Sequence, residues 1–243
     1  MAPDPAGEVA GGAGPGLAER WHRVLASVDD AARAAGRDAG GITTIVVTKF
    51  HPASLVRELH ALGVRDVGEN RHQEAQAKAA DLADLDDLRW HFVGQLQSKK
   101  ARQVRRYASA VHSVDRDSVV RGLHVEGGAD DVLDVFLQVS LDMPDDGTDR
   151  GGVAPDDVER LAETVLADPG LRLRGLMAVA PLGEPARPAF ARLRGLSERL
   201  RRLEPRADAI SAGMSQDHAE AIAEGATHLR IGAAVTGKRP DAR

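Results

Sequence analysis

Apolar positions along this chain alternate between two patterns: short β-branched runs and longer stretches at helical spacing. The sharpest run is Thr43-Thr44-Ile45-Val46-Val47-Thr48-Lys49. It is hydrophobic on consecutive positions, as in a parallel strand buried on both faces. Before it, Leu17, Trp21, Val24, Leu25, Val28, Ala31 and Ala32 predict an amphipathic helix over 17–35, stopped by Gly36. After it, Pro52 opens a helix over 53–62. The alternation then repeats. Strand 64–68, ending in Glu69-Asn70, precedes helix 71–82; strand 89–94 precedes helix 98–107; strand 110–114 precedes helix 115–125. Strand 132–140, expected to be the longest, leads through a polar loop at 142–152 into helix 155–167. Strand 171–179 with helix 188–203, strand 209–212 with helix 216–224, and strand 228–231 with a turn opened by Gly232-Ala233-Ala234 complete the series.

Strand then helix, eight times in 243 residues, predicts an α/β fold, a single (β/α)8 TIM-type barrel with one extra helix in front. An open doubly wound sheet is the alternative, and the count of eight favours closure. Residues 1–16 are small and Gly/Pro-rich, so the expected organisation is a disordered tail over 1–16 and one barrel domain over 17–243.

Charge and composition narrow the function classes. Thirty-two basic against 37 acidic residues leave a net charge of −5, which argues against a nucleic-acid partner. The basic cluster Lys99-Lys100-Ala101-Arg102 with Arg105-Arg106 reads as a solvated helix face. No run is long and apolar enough to span a bilayer, and the N-terminal stretch lacks the pattern of a signal peptide. The absence of cysteine excludes disulfides, thiolate metal sites and cysteine nucleophiles, and fits a cytoplasmic location. His112, His124 and His218 are not spaced as a metal site.

In a parallel barrel, chemistry gathers where strands end. Lys49, Asn70, the end of the strand holding His91, Met177 with Ala178, 211–215 and 230–233 would share one mouth. An amine backed by an apolar strand loses hydration, which favours its neutral form, nucleophilic toward carbonyls. A snorkelling lysine is the bland reading. The turns after the last two strands, Gly213-Met214-Ser215 and Gly232-Ala233-Ala234, offer close backbone N–H groups, a hydroxyl and helix starts, which suit a phosphate. Ordinary tight turns need the same residues. Arg230, pointed inward by alternation with Ile231, needs a ligand nitrogen or a carboxylate to offset its burial. Amine and phosphate cradle together point to a phosphorylated aldehyde: pyridoxal 5′-phosphate (PLP), or the sugar phosphate of a lysine-dependent aldolase.

Several segments, taken in order, resemble the pyridoxal phosphate homeostasis protein family, related in fold to the N-terminal domain of alanine racemase. They are Val46-Val47-Thr48-Lys49; Gly68-Glu69-Asn70 with Gln73-Glu74; Trp90-His91-Phe92-Val93-Gly94 with Leu96-Gln97-Ser98-Lys99; Gly175-Leu176-Met177-Ala178; Ser211-Ala212-Gly213-Met214-Ser215-Gln216-Asp217; and Arg230-Ile231-Gly232. The resemblance implies PLP as the cofactor, with Lys49 as the amine that joins its aldehyde and Asn70 beside the ring. His91 and Met177 would line the pocket, and Arg230 would face the pyridine nitrogen. Ser215 and the backbone amides of Met214, Gly232 and Ala233 would hold the phosphate. Ala233 stands where the family often has threonine, and Asp149-Arg150-Gly151-Gly152-Val153 stands where it commonly has Lys-Ser-Gly-Ile.

The same resemblance implies a carrier rather than an enzyme. An arginine against the pyridine nitrogen keeps that nitrogen unprotonated and makes the ring a poor electron sink. Racemases of this fold bring a tyrosine from a second domain as the opposing acid/base, whereas the single tyrosine here, Tyr107, follows the third barrel helix. The expected function is therefore PLP homeostasis by a cytoplasmic monomer, with PLP-dependent apoenzymes as candidate recipients. An amino-acid racemase or decarboxylase is the alternative.

Overall fold

The computed structural model describes residues 15–126, 131–142 and 151–239. The expected tail lies almost wholly outside the described residues, as do 143–150 of the polar loop and the last residues, 240–243. Eight strands pair in chain order: β1 (Thr43–Val47), β2 (Asp66–Glu69), β3 (Arg89–Phe92), β4 (Ala110–Val114), β5 (Leu133–Gln138), β6 (Leu171–Met177), β7 (Ala209–Ser211) and β8 (His228–Ile231). All are parallel, and β8 returns to β1 with Ile45 opposite Arg230 and Val46 opposite Ile231. The sheet is closed, and the open-sheet alternative is set aside.

The helices between them are α2 (Ala53–Ala61), α3 (His72–Asp81), α4 (Ser98–Arg105), α5 (Asp117–Leu123), α6 (Val158–Leu166), α7 (Ala186–Leu203) and α8 (His218–Ala223), with α9 (Ala233–Thr236) after β8. In front of the barrel, α1 (Leu17–Ala34) packs on α8 and α9. Arg20 Nε donates to Val235 O at 2.7 Å, and Arg37 Nη1 donates to Ile222 O and Ala226 O at 2.8 and 2.7 Å. The extra helix thus clasps the seam where the barrel closes.

Two elements depart from the pattern in the sequence. The fifth strand is not the longest: β5 has 6 residues and β6 has 7. Val139 leaves the sheet for an isolated bridge with Val153, and Ser140 N–H donates to Val153 O at 3.0 Å. The helix expected at 155–167 begins as a 3-10 turn, Pro155–Asp157, before α6. Proline fits such a first turn because its missing N–H has no helical partner there.

One continuous apolar layer fills the space between strands and helices, with Val46, Val67, Leu59, Leu161 and Leu193 at its centre. Each such side chain contributes about 1.5–3 kcal/mol on burial. The inside of the barrel is different. Its separate apolar cluster is Phe136, Met177 and Ala209, and around these stand the buried polar groups His91, His112, Ser211 and Arg230. A polar barrel interior needs a complete set of hydrogen bonds.

Candidate functional site

Ile45 and Val47 face the barrel interior, since a Cβ on Gly68 of the neighbouring strand would meet Ile45 Cγ2 at 3.1 Å and Val47 Cγ2 at 3.3 Å. Lys49 follows two residues past the end of β1, in the turn at the barrel mouth, and is half-buried. Thr48 faces outward, and its Oγ1 donates to Glu69 Oε1 at 2.7 Å.

The backbone on both sides of Lys49 is gripped from α3. Lys78 Nζ donates to Thr48 O at 2.9 Å, to Glu69 Oε1 at 2.7 Å and to Glu74 Oε1 at 2.7 Å. Phe50 N–H donates to the same Glu74 oxygen at 2.5 Å. Phe50 has φ +70°, a conformation that costs a non-glycine residue about 1 kcal/mol or more, and the Glu74 bond holds it there. Burial pushes the Glu69 carboxyl up, and the Lys78 hydrogen bond pulls it back. None of this clamp was assigned a role from sequence. Its signal was present, however: Glu74 and Lys78 are spaced i, i+4, and Lys78 occupies a place in the stripe His72, Ala75, Lys78 that α3 buries.

Across the mouth lie the two turns that the sequence offers for a phosphate. The β1–β8 pairing sets Gly232 beside Val47, with a Cβ at Gly232 only 3.8 Å from Val47 Cβ and O. Lys49 and the last corner therefore rise from adjacent strands. Ala233 and Ala234 open α9, and the first N–H groups of a helix have no acceptor within it. Gly213 adopts φ +92°, and a side chain there would press on Ala221 Cβ at 2.7 Å, so glycine alone allows this turn to lie close to α8. Ser215 is half-buried in the same turn. Met214, whose N–H was expected at the phosphate, here donates it to Asp217 Oδ1 at 2.5 Å. That amide is committed to the turn's own carboxylate. The helix after it is short, starting at His218 rather than at 216.

The remaining residues named from the sequence divide. Asn70 lies just past β2, and its Oδ1 is buried without a hydrogen-bond partner among the described residues. A buried acceptor left open in this way is suited to a ligand donor. Gly94 makes this packing possible, because any side chain there would collide with the Asn70 backbone. Met177 is 2 % exposed and fills the interior beneath the mouth. His91, expected to line the pocket, is buried on β3 with both ring nitrogens engaged. Its Nε2 bonds Asp66 Oδ1 at 2.8 Å and its Nδ1 meets His112 Nε2 at 2.9 Å, Asp66 being the first residue of β2. Arg230 is buried inside the barrel, with Nη1 donating to Ser211 Oγ at 2.7 Å and Nη2 to Ala178 O at 2.9 Å. Its hydrogen-bond partners are neutral rather than a carboxylate. Burial brings the guanidinium down to about 10, with Asp217 opposing.

Cations collect at the rim. Around the Phe50 ring stand Arg239 Cζ at 3.8 Å, Arg71 Cζ at 5.0 Å and Lys49 Nζ at 5.9 Å from the centroid. Among the described residues neither arginine is ion-paired. An open acceptor at Asn70, a half-buried amine at the end of β1, unpaired helix-start amides and a buried guanidinium on one closed barrel fit a small aromatic aldehyde with an anionic tail.

A parallel (β/α)8 barrel with an amine at the end of β1 and a guanidinium on β8 defines a class, the barrel of the alanine racemase N-terminal domain. The chain belongs to that family, which matches residues 25–240, and within it to the pyridoxal phosphate homeostasis proteins. It is 46% identical over 227 residues to the pyridoxal phosphate homeostasis protein of Pseudomonas aeruginosa, covering 92% of this chain and 96% of that one. The Escherichia coli protein of the same name is 35% identical, over 92% of this chain and 97% of its own. Among solved structures, PipY of Synechococcus elongatus with PLP bound superposes with a TM-score of 0.76 at 35% identity, covering 91% of this chain and all (100%) of that one. Alanine racemase from Corynebacterium glutamicum, at 16% identity and TM-score 0.60, shares the fold; this chain spans 62% of it.

Proposed function

We propose that this chain binds pyridoxal 5′-phosphate in the barrel mouth and serves PLP homeostasis as a carrier, without turning over a substrate. The observation that carries the reading is the placement of Lys49, half-buried two residues past the end of β1, whose neighbour β8 leads into the Gly232–Ala233 corner. The PLP-bound PipY structure and the shared family name support it. When bound, PLP supplies an aldehyde that a primary amine captures covalently, producing a coloured protein. The chain's own residues do the rest. Lys49 supplies the amine, held by the clamp beneath it. Asn70 offers its open acceptor beside the ring. Ser215 and the amides of Gly232 and Ala233 hold the phosphate, with Met214's amide available only when Asp217 yields it. Arg230 faces the pyridine nitrogen and opposes its protonation.

Two observations favour binding over catalysis. The guanidinium opposite the ring nitrogen weakens the ring as an electron sink. The one tyrosine, Tyr107, stacks on His72 at a centroid distance of 5.9 Å after α4, and burial pushes its phenol up, out of the range of a working acid/base. PLP-dependent apoenzymes are the recipients this reading expects. Among the described residues no helix is long and apolar enough to cross a membrane. A cytoplasmic monomer remains the working expectation.

The test is an absorbance spectrum of the purified protein with PLP, before and after borohydride. A visible band that borohydride bleaches and that Lys49→Ala lacks, with no turnover of amino acids, is the expected result. Racemisation or decarboxylation abolished by Lys49→Ala would overturn the carrier reading in favour of an enzyme.

A further inference from the structure

Four buried side chains connect Arg230 to the floor of the barrel, and while His91 is neutral their protons have one consistent order. Asp66 accepts from Arg89 Nε and Nη2 at 2.7 and 2.5 Å and from His91 Nε2 at 2.8 Å. Burial alone would raise its carboxyl, but these donors outweigh that and hold it well below the usual carboxylate range. An ionised carboxylate only accepts, so His91 carries its hydrogen on Nε2. With that ring neutral, its Nδ1 accepts, and His112 must donate from Nε2 across 2.9 Å. Burial, with His91, Arg230 and His228 adding to it, holds His112 far below its ordinary value and so uncharged. Its Nδ1 then accepts from Ser211 Oγ–H at 2.9 Å. The lone pairs of Ser211 accept from Arg230 Nη1 at 2.7 Å. Every hydrogen is donated in the direction of Asp66.

We propose that Asp66, His91, His112 and Ser211 are positioning residues for Arg230, a one-way hydrogen-bond chain that fixes the guanidinium and transmits the charge of a floor carboxylate to the mouth. The inference rests on the reading that Arg230 meets the ring nitrogen of PLP. Phe136, stacked on His112 at 4.3 Å, holds that ring in its orientation. The charged and titratable groups facing the two imidazoles are Asp66 on β2, which Arg89 on β3 bonds in turn, and His228 and Arg230 on β8; Asp134 on β5 and Arg174 on β6 act on His228. The chain has one alternative state. A proton added at His91 Nδ1 forces His112 to the other tautomer, leaving Ser211 Oγ to accept from both neighbours and its own hydrogen to turn away. Polarity and protonation are thus tied together, and charge at one end is felt at the other.

Two measurements test this. In the cofactor-free protein near neutral pH, nitrogen NMR of the imidazoles reads the tautomers directly. His91 and His112 both carrying hydrogen on Nε2 is the expected result, and His112 protonated on Nδ1 overturns the proposal without any variant. In the PLP-loaded protein, the pH midpoint of the visible band is compared among the unsubstituted chain, Asp66→Asn, Ser211→Ala and the double variant. Asp66→Asn keeps an acceptor for His91 but removes the charge, leaving Arg230 less compensated, so the midpoint falls by at least ~0.5 pH unit. Ser211→Ala cuts the last link and shifts it the same way, and the double variant goes no further than the larger single shift. Unmoved midpoints, or shifts that add, overturn the chain. If the unsubstituted protein takes up no PLP at all, the binding reading fails while the tautomers still judge the chain.

Discussion

Position 78 carries a lysine where the buried stripe of α3 calls for an apolar group. Its ammonium, 6 % exposed, neutralises Glu69 and Glu74 and anchors the carbonyl before Lys49. Removing one partner of such a cluster leaves the others buried and uncompensated, which costs about 3–5 kcal/mol. Lys78→Met is therefore expected to lower the unfolding free energy measured in urea by that much, and in the loaded protein to slow colour formation at Lys49. A free energy within ~1 kcal/mol of the parent would show that the cluster adds little stability. His228 gives a prediction in pH. Burial, with His91 and Arg174 nearby, pulls it from 6.5 down to about 4. Its folded value is depressed, so its contribution is intact above 6.5 and lost as pH falls toward 4, because the unfolded chain takes the proton first. The shift amounts to roughly 3 kcal/mol over that window. His228→Asn should flatten this part of the stability–pH curve, measured by urea unfolding at steps between the two values, and leave neutral-pH stability little changed.

Among elements, the turn after β3 is tightly constrained, since Gly94 lies against the backbone of Asn70. Gly94→Ala must push β2 and β3 apart at the mouth, and a loss of about 2 kcal/mol or more is expected from that overpacking. Weaker PLP binding should accompany it, both read by thermal unfolding with and without ligand. The order of elements and the closed barrel were legible because buried parallel strands announce themselves as unbroken runs such as Ile45-Val46-Val47, and helices by their stripe. Lys49 and Arg230 were legible because each ends or interrupts such a run. The Val139–Val153 bridge was not, since a lone bridge has no periodicity. The capture of Met214 N–H by Asp217 was hidden too, because a carboxylate three residues on reads equally as a helix cap. The partners of His91 were hidden for a different reason. Its partners Asp66 and His112 come from neighbouring strands, and only the register brings them together.

For the molecule as a whole, a net charge of −5 contrasts with a mouth ringed by Lys49, Arg71 and Arg239. A local field of the opposite sign can still steer an anionic ligand at short range, and salt screens it. Stopped-flow association of PLP is expected to slow several-fold, on the order of 3–10 times, between 0.01 and 0.15 M salt. The double variant Arg71→Gln, Arg239→Gln should show a shallower dependence, and an equal slope would assign the steering elsewhere. The closure of β8 onto β1 has a further outcome for biosynthesis. The lysine is translated early and the corner that completes its site comes last, so a chain still on the ribosome has the amine but nothing to seat the ligand's tail. Uptake of the vitamin therefore marks the finished barrel, and stalled nascent chains should stay colourless until the eighth strand has left the exit tunnel.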